Sequence, residues 1–546
     1  MEGFPIGFFL LRYEFNTFSA STLNAYRHVL HANYAKDKTV WKNSATFLTG
    51  RGIVNSQYLT YRINPEHKIG RLTLGFWNDV EHNQIFNATN DTLSKGSFAW
   101  TEYMPYLQIG DSSTNQFKIS YKYREDFFSD YKALIKSNYS HDYAMQSAFI
   151  FNVRHQLSLQ MTYRQIRIID SLLAVSKNRD NLLFRADHRY RNKKGWIQSQ
   201  LYYETGSGIE AKKEIRYIEV QPGLGTHTWI DYNKNGVKEI SEFEPAIFSD
   251  QANYVKVITN SNDYVSVYYG NVNAMMFIKP EQFWSKQENL FQKTVGKLSN
   301  KFTYRSEIKS YRPEDILLPG VYGLNDTFQI QSNYSIVNSV FVNRNNSVWN
   351  AEWNKGTFYQ RNFLLTGFDL RSTMFDEVRL RLNPSKEWYT SWHWKKSFKQ
   401  SSSDLSAGRN YFLTIDEYDP EIVWQPNNYF RITANYSYQI KQNKQEFGGE
   451  KAQIHRPALE IRYNVATKAS YQLKVQYVLI NYQGITNTPV AFDMLESLNP
   501  GQNWIVSAAW QKVINSNMQV NLIYNGRITP DNKFIQTGNL QVRAFF

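Results

Sequence analysis

Alternation of apolar and polar residues is the dominant pattern along this chain. A clear example runs from residue 117 to 124, where Phe, Ile, Tyr and Tyr alternate with Lys, Ser, Lys and Arg. Successive side chains of a strand point to opposite faces, so this order places the apolar residues on one face and the polar residues on the other. The same alternation recurs at residues 157–164, 430–438, 459–463, 471–479, 504–510 and 518–524. The pattern predicts many strands with one apolar and one polar face.

These segments run to about ten residues and often carry Tyr or Trp near one end, which is typical of strands that cross a membrane between two girdles of aromatic side chains. Residues that tolerate tight turns separate the segments, as at Asn427-Asn428 and Asn525-Gly526. With roughly 20 to 25 residues for each strand and its connection, the chain accommodates about 20 or more strands. We therefore predict an all-β fold, a transmembrane antiparallel β-barrel.

A soluble β-sandwich, propeller or solenoid is the alternative that also produces a period of two. Such folds bury a mixed core of Val, Ile and Leu and close with short turns. In this chain the polar positions are rich in Lys, Arg, Gln and Asn, and the connections vary in length. Aromatic residues make up 16% and charged residues 20%, with a mean hydropathy of −0.55. An aromatic-rich but polar composition favours strands with one apolar and one wet face.

Charge and cysteine content exclude several classes of protein. The formal net charge is +14, from 62 Lys and Arg against 48 Asp and Glu. These cations are spread along the strands and do not cluster on a helix or patch, so we expect no nucleic-acid partner. Because Cys is absent, disulfides and Cys-ligated zinc are excluded.

The first residues of the chain do not resemble an export signal. No stretch reaches the roughly 18 consecutive apolar residues of a spanning helix, and the first apolar run is too short for the core of a signal peptide. An exported membrane protein needs such a signal. We therefore expect Met1 to be an internal start of a trimmed, mispredicted or partial chain.

The last strand carries a recognisable signature. Leu540, Val542, Ala544 and Phe546 lie on one face, so the chain ends on an aromatic ring. In a barrel the last strand pairs with the first, and that ring can lie at the membrane interface. This ending resembles the terminal-strand signal of bacterial outer-membrane proteins, which the barrel-assembly machinery recognises.

The tail, from Asn499 to Phe546, and the central region from Thr228 to Asn233 resemble large, mostly uncharacterised outer-membrane β-barrel proteins of Bacteroidota. The first 200 or so residues show only the barrel pattern. The resemblance implies the outer membrane of a Gram-negative bacterium, with membrane lipid, lipopolysaccharide and the barrel-assembly machinery as partners. It implies no established activity.

The period of two weakens in the centre of the chain. We therefore divide the chain into a first part of the barrel at 1–212, an insertion at 213–298 and a second part of the barrel at 299–546. The insertion could be a plug, a periplasmic turn or an external lid. After Pro280 its spacing predicts one short amphipathic helix, which would seal a barrel edge or lumen, lie at the interface, or simply pack. The predicted helix face consists of Phe283, Trp284, Gln287, Leu290 and Phe291.

One motif in the insertion matches the template of a calcium-binding loop, with oxygen donors at loop positions 1, 3, 5, 9 and 12, a backbone carbonyl at 7 and Gly236 at the turn. The donors are Asp231, Asn233, Asn235, Val237, Glu239 and Glu242. No amphipathic helix precedes the loop, and two of the donors are uncharged, so we expect a weak, structural Ca²⁺ site. A plain hairpin is the alternative, because Asn235-Gly236 alone is a strong turn signal.

A search for catalytic motifs finds none. The histidines, including the pair His28 and His31 and the tryptophan-flanked His393, form no metalloprotease pattern, and no nucleophile elbow or phosphate-binding loop occurs. We interpret the acidic run from Asp416 to Glu421 as a solvated loop or a cation site. We therefore expect an outer-membrane barrel without catalysis, acting in transport or as a surface assembly scaffold with periplasmic or surface protein partners. The alternative is a secreted soluble β-rich protein that binds or cleaves glycans.

Overall fold

The structure is a computed structural model. It describes residues 8–20, 23–52, 54–87, 92–110, 115–170, 172–173, 179–284, 289–316, 328–364, 367–404, 406–465, 468–515 and 517–544, without the side chains of 211–214, 260–264 and 363–364. The terminal ring of Phe546 and the predicted helix residue Gln287 lie outside the described residues.

The chain divides into two compact units. The first comprises Met1–Arg191 and Gln200–Gly208, and the second comprises Asn192–Ser199 and Ile209–Phe546. The strands β1 to β11 are Phe8–Ala20, Leu23–Lys36, Thr39–Gly52, Val54–Ile69, Leu72–Asn87, Phe98–Ile109, Gln116–Ser129, Leu134–Asn152, His155–Ile168, Arg179–Arg191 and Ile197–Glu219.

The second unit continues with strands β12 to β26 and two α-helices. The strands are His227–Trp229, Phe243–Pro245, Tyr254–Ile278, Leu298–Ser310, Gln329–Val342, Trp349–Leu364, Gly367–Leu382, Trp388–Ser403, Tyr411–Trp424, Phe430–Asn443, Lys451–Val465, Ala469–Gln483, Gly501–Asn515, Met518–Ile528 and Phe534–Ala544. The helices are α1 (Leu290–Val295) and α2 (Pro489–Leu495), and no described helix is long and apolar enough to cross a membrane.

The strands form an antiparallel meander. In the described part of the chain there are 26 strands, of which β12 and β13 have 3 residues each and the others 11 or more. Within each unit, long strands pair with the strands that precede and follow them in sequence, as β7 does with β6 and β8 and β23 with β22 and β24. The predictions of an all-β antiparallel fold and of about 20 or more strands are confirmed.

Connections in the second unit alternate between the two ends of the strands because consecutive strands run in opposite directions. One end of its strands carries the connections 220–253, 311–328, 365–366, 404–410, 444–450, 484–500 and 529–533. The opposite end carries 279–297, 343–348, 383–387, 425–429, 466–468 and 516–517. The connections 220–253 and 484–500 therefore leave from the same end of the strands.

One face of β19 to β24, which we call the aromatic face, carries two rows of aromatic rings. The row nearer the short connections consists of Trp388, Trp424, Phe430, Tyr463, Tyr471 and Trp510, most of which pair directly across neighbouring strands. The second row contains Trp394, Tyr418, Tyr438, Tyr477 and Trp504. Between the rows, apolar side chains such as Ile422 and Leu473 are exposed. Along β19 the two rows are about 20 Å apart at ~3.3 Å per residue.

Charged residues follow immediately beyond the second aromatic row. Lys355, Asp376, Lys396 and Asp416 are direct cross-strand neighbours on β17 to β20 and alternate in sign. The Nζ of Lys355 lies 3.7 Å from an Oδ of Asp376. On β17 to β20, the side of the sheet that carries the aromatic face therefore changes from apolar to charged along one line.

The opposite face of β17 to β24, which we call the covered face, carries the packed connections. In the first unit, one face of the strands carries a ladder of opposite charges, in which Arg62 binds Asp79 at 2.7 Å and Arg164 binds Asp142 at 2.7 Å. Both carboxylates are buried, and each lies on a neighbouring strand to its partner. Polar residues on one face thus pair with each other across the ladder.

The predicted insertion 213–298 contains more strand than the sequence indicates. Residues 213–219 belong to β11 and 254–278 to β14, so the segment between these paired strands is 220–253. The predicted amphipathic helix appears as a 3₁₀ turn at Pro280–Gln282 and as α1. Leu290 and Phe291 in α1 are exposed, so this helix does not contribute them to a core in the described structure.

Candidate functional site: the connections on the covered face

The connection 220–253 is organised by a short hairpin. Its strands β12 and β13 pair antiparallel, with Trp229 opposite Phe243, and the loop 230–242 joins them. His227 in β12 also pairs with Tyr254 at the start of β14. The loop with the predicted calcium donors is therefore held at the tip of a hairpin that is continuous with the long strands.

Hydrogen bonds to Asp231 shape this loop. Its carboxylate oxygens accept the backbone N–H groups of Asn235 at 3.1 Å and Gly236 at 2.9 Å. The Oδ1 of Asn235 in turn accepts the N–H of Val237 at 2.7 Å. Gly236 has a φ of +74° and Lys234 a φ of +61°, so two residues of the turn have the left-handed conformation. Glycine adopts this conformation without strain. These bonds produce the tight turn that both predictions, a calcium loop and a hairpin, require.

The two glutamates of the motif have different surroundings. Glu239 accepts bonds from the amide groups of Asn233 and Asn235, both at 3.2 Å. Glu242 is only 2% exposed, and its carboxylate accepts the indole N–H of Trp229 at 2.9 Å and the backbone N–H of Tyr232 at 3.2 Å.

The motif is therefore only partly assembled in this structure. Asp231, Asn233, Asn235, Val237 and Glu239 lie in one hydrogen-bonded turn, whereas the carboxylate of Glu242 is engaged by the flanking strand. Among the described residues, the three carboxylates do not lie within 4.8 Å of one another as a ligand group would. Calcium binding stays a prediction.

A second connection, 484–500, contains α2, which the sequence pattern did not predict. Thr488 caps the helix by accepting the N–H of Ala491 at 3.2 Å, and Pro489 occupies its first turn. Thr followed by Pro is a helix-start signal that could have located α2. The helix buries Val490, Ala491, Met494 and Leu495 against the covered face. Its partners there include Leu413, Ala452, Ile454, Val478 and Ile480.

Ion pairs fix α2 and its C-terminal residues to the strands. The Nζ of Lys399 lies 2.6 Å from Asp493. Beyond the helix, Glu496 binds Lys441 at 2.8 Å and Arg456 at 2.6 Å. Burial alone would raise the pKa of Glu496, but the charges of Lys441 and Arg456 outweigh it and lower this pKa to about 2. The carboxylate therefore stays charged throughout the neutral range.

The connection 220–253 is anchored by similar pairs. Glu244 in β13 is bound by Arg409, whose guanidinium also donates to the backbone oxygen of Phe243. Burial raises the pKa of Glu244, whereas the charge of Arg409 acts in the opposite direction. Asp250 binds Arg527 at 2.8 Å. Two buried or half-buried ion pairs thus hold this connection against the covered face.

The two connections also meet each other. The side-chain amide of Asn487 donates to the backbone oxygens of Asp231 at 3.2 Å and Tyr232 at 3.4 Å. Beside this contact lies a cavity of about 500 Å³, whose lining includes Glu239, Glu242, Glu446 and Glu450. The predicted calcium loop therefore borders an acidic cavity formed by several connections.

A different group of residues has the spacing of a metal site. Ligand atoms of His393, Glu417 and Asp419 all lie within 4.8 Å of one another, on β19 and β20. The interpretation of residues 416–421 as a loop is wrong, since they lie inside β20. Glu417, Asp419 and Glu421 alternate with Tyr418, Pro420 and Ile422, which is a strand pattern that the density of acidic residues obscured.

No protein-family model and no curated protein matches this chain. Solved structures do match it. The ferric enterobactin receptor from Pseudomonas aeruginosa is 8% identical with a TM-score of 0.38, over 99% of this chain and 80% of that one. The FrpB iron transporter from Neisseria meningitidis is 8% identical with a TM-score of 0.35, over 93% of this chain and 81% of that one.

A third similar structure is the ferripyoverdine receptor of the outer membrane of Pseudomonas aeruginosa. It is 9% identical with a TM-score of 0.29, over 97% of this chain and 71% of that one. Because these TM-scores are below 0.5, we base the function of this chain on its own residues.

Proposed function

We propose that this chain is an outer-membrane β-barrel that acts in transport, without catalysis, and that its packed connections restrict the lumen. The observation that carries the proposal is the contrast between the two faces of β19 to β24. The aromatic face presents apolar residues between two rows of rings, which suits lipid with aromatic girdles at both interfaces. The covered face carries ion pairs and hydrogen bonds, which suits a polar lumen.

The dimensions of the strands support a membrane span. From Trp388 in the first aromatic row to Lys396 in the charged row, β19 spans the roughly 9 to 11 residues that a transmembrane strand needs. Beyond Lys396 the strand continues to Ser403, so it projects past the apolar band. The charged row of Lys355, Asp376, Lys396 and Asp416 would then lie among lipid headgroups and lipopolysaccharide.

The connections support an orientation. Outer-membrane barrels have short periplasmic turns and longer extracellular loops. On this rule the end with 220–253 and 484–500 is extracellular, and the two connections form an external lid. Recognition of β26 by the barrel-assembly machinery remains part of the proposal, as does kinship with outer-membrane proteins of Bacteroidota.

Channel recordings test the transport role. The full chain is folded into planar bilayers, and a variant in which an Asn-Gly turn replaces residues 223–250 is compared with it. We expect larger conductance from the shortened variant, because the lid is removed. Lys533→Gln changes an exposed side chain in the connection 529–533; it is the control and should leave conductance unchanged.

Two outcomes would contradict the proposal. A full chain that purifies without detergent as a stable soluble monomer would exclude the barrel and favour a secreted glycan-binding or glycan-cleaving protein. A chain that folds in bilayers but shows no conductance in either form would exclude a pore and favour a surface assembly scaffold.

We further propose that the loop 230–242 binds one Ca²⁺ that orders the lid. The proposal is supported by the donor spacing, by the turn around Asp231 and by the acidic cavity beside it. Limited proteolysis of 220–253 should be slower with calcium than with chelator, and Asp231→Ala should abolish the difference. Asp531→Ala is the matched control. Equal cleavage rates with calcium and chelator would leave only a hairpin.

A further inference from the structure

A second, smaller cavity lies where the connection 220–253 meets β17 and β18. Its volume is about 160 Å³, enough for one small ion but not for a large solute. Three cationic side chains line it, together with amide and imidazole groups. These residues are Lys256, Arg371, Arg409, His227, Gln360 and Asn362.

The cations outnumber their carboxylate partners. Arg409 binds Glu244, and the Nε of Arg371 lies 3.5 Å from Asp369, which also lines the cavity. Lys256 has no carboxylate partner among the residues that the structure describes. Three positive charges therefore face two negative ones, which leaves the cavity with an excess positive charge.

One buried donor also lacks an acceptor. Arg409 is only 9% exposed, and its Nε has no hydrogen-bond partner among the described residues. An unsatisfied buried donor costs about 1–3 kcal/mol, and more when it is charged. An oxygen atom of a ligand in the adjoining cavity would remove that cost.

The electrostatics agree with this geometry. Lys256 is an exposed residue, and partial loss of water around its ammonium group lowers its pKa. The charge of Arg371 lowers this pKa further, whereas the charge of Asp369 acts in the opposite direction. Burial likewise lowers the pKa of His227, with Lys256 and Arg371 acting in the same direction. Both groups therefore lie close to the positive charge of Arg371, which an anion would offset.

We propose that this cavity binds a compact oxyanion, either free phosphate or a small carboxylate. Guanidinium groups and an ammonium group are the usual protein partners of such ions, because charged donors form the strongest hydrogen bonds to their oxygens. The cavity lies against the covered face and away from the aromatic face, so a soluble ion suits it better than a lipid headgroup. The site is a binding site, and its existence does not depend on transport.

Isothermal titration calorimetry on the full chain tests the proposal. The protein is purified in a non-ionic detergent free of phosphate and titrated with inorganic phosphate and, separately, with acetate. We expect saturable binding of at least one ion. Lys256→Gln should weaken it about tenfold or more, because Lys256 contributes charge without holding another residue in place. Arg371→Gln provides a second variant with the same expected direction.

Lys533→Gln is the matched control, since it removes one positive charge from an exposed position of the same unit. It should bind as the unchanged protein does. Absence of saturable binding to either ion would overturn the proposal, as would equal affinity in the Lys256→Gln variant and the unchanged protein. Circular dichroism and protease resistance of each variant separate a loss of the site from a loss of the fold.

Discussion

A charged substitution on the aromatic face gives the most direct test of which surface meets lipid. Leu473 lies on β23, 43% exposed, between Tyr471 of one aromatic row and Tyr477 of the other. It is thus about 7 Å along the strand from one ring and about 13 Å from the other. An Arg near the middle of the lipid layer costs about 2–4 kcal/mol, and less near an interface. We expect Leu473→Arg to cost about 2–3 kcal/mol.

The matched control is the next residue towards Tyr471. Gln472 has its side chain on the covered face, so Gln472→Arg inserts the same residue on the same strand facing the polar side. Its cost should stay below about 1 kcal/mol, as for ordinary substitutions outside a core. The measurement is the guanidinium dependence of reversible folding into lipid vesicles, followed by tryptophan fluorescence. Equal costs for the two variants would falsify the assignment of the faces.

Two further predictions concern the anchored connections. Because the pKa of Glu496 is about 2, well below its usual value, its ion pairs should stabilise the packing of 484–500 above about pH 4.5 and lose that effect as the pH falls towards 2. Hydrogen exchange of α2 should show this acid dependence, and Glu496→Gln should remove it. Arg409→Met leaves Glu244 buried without its cation, so the local stability of 220–253 should fall by about 3 kcal/mol, measured as faster proteolysis. The double variant with Glu244→Gln should recover most of that loss, and if it does not, the ion pair is not what holds the connection.

The sequence predicts the strands well because alternation is a local property. β7, β21 and β23 are predicted directly from side chains that alternate over about eight or nine residues. β14 is missed as a strand because its first half extends past its neighbour β15, which pairs only with residues 268–278, and that half lacks a regular alternation of apolar and polar residues. α2 is missed for a different reason, since seven helical residues are too few to show a helical period.

The candidate site is harder to predict from the sequence. The turn around Asp231 is visible, because its donors lie within a few residues of one another. The pair of Arg409 and Glu244 joins residues 165 positions apart, and only the docking of the connection on the strands brings them together. The same holds for Glu496 with Lys441, which no spacing rule connects.

The long connection between β11 and β14 has a consequence for the order of folding. Most neighbouring strands are joined by a few residues, so each hairpin can close soon after its strands emerge, as at 425–429. The segment 220–253 is about seven times as long as 425–429, and closing it costs roughly 1.7 kcal/mol more in chain entropy than closing 425–429. Contacts that are distant in sequence form late. We expect the hairpins before and after this segment to form first, with the pairing of β11 and β14 as the slow step, so the connection that packs on the covered face would also set the rate of folding.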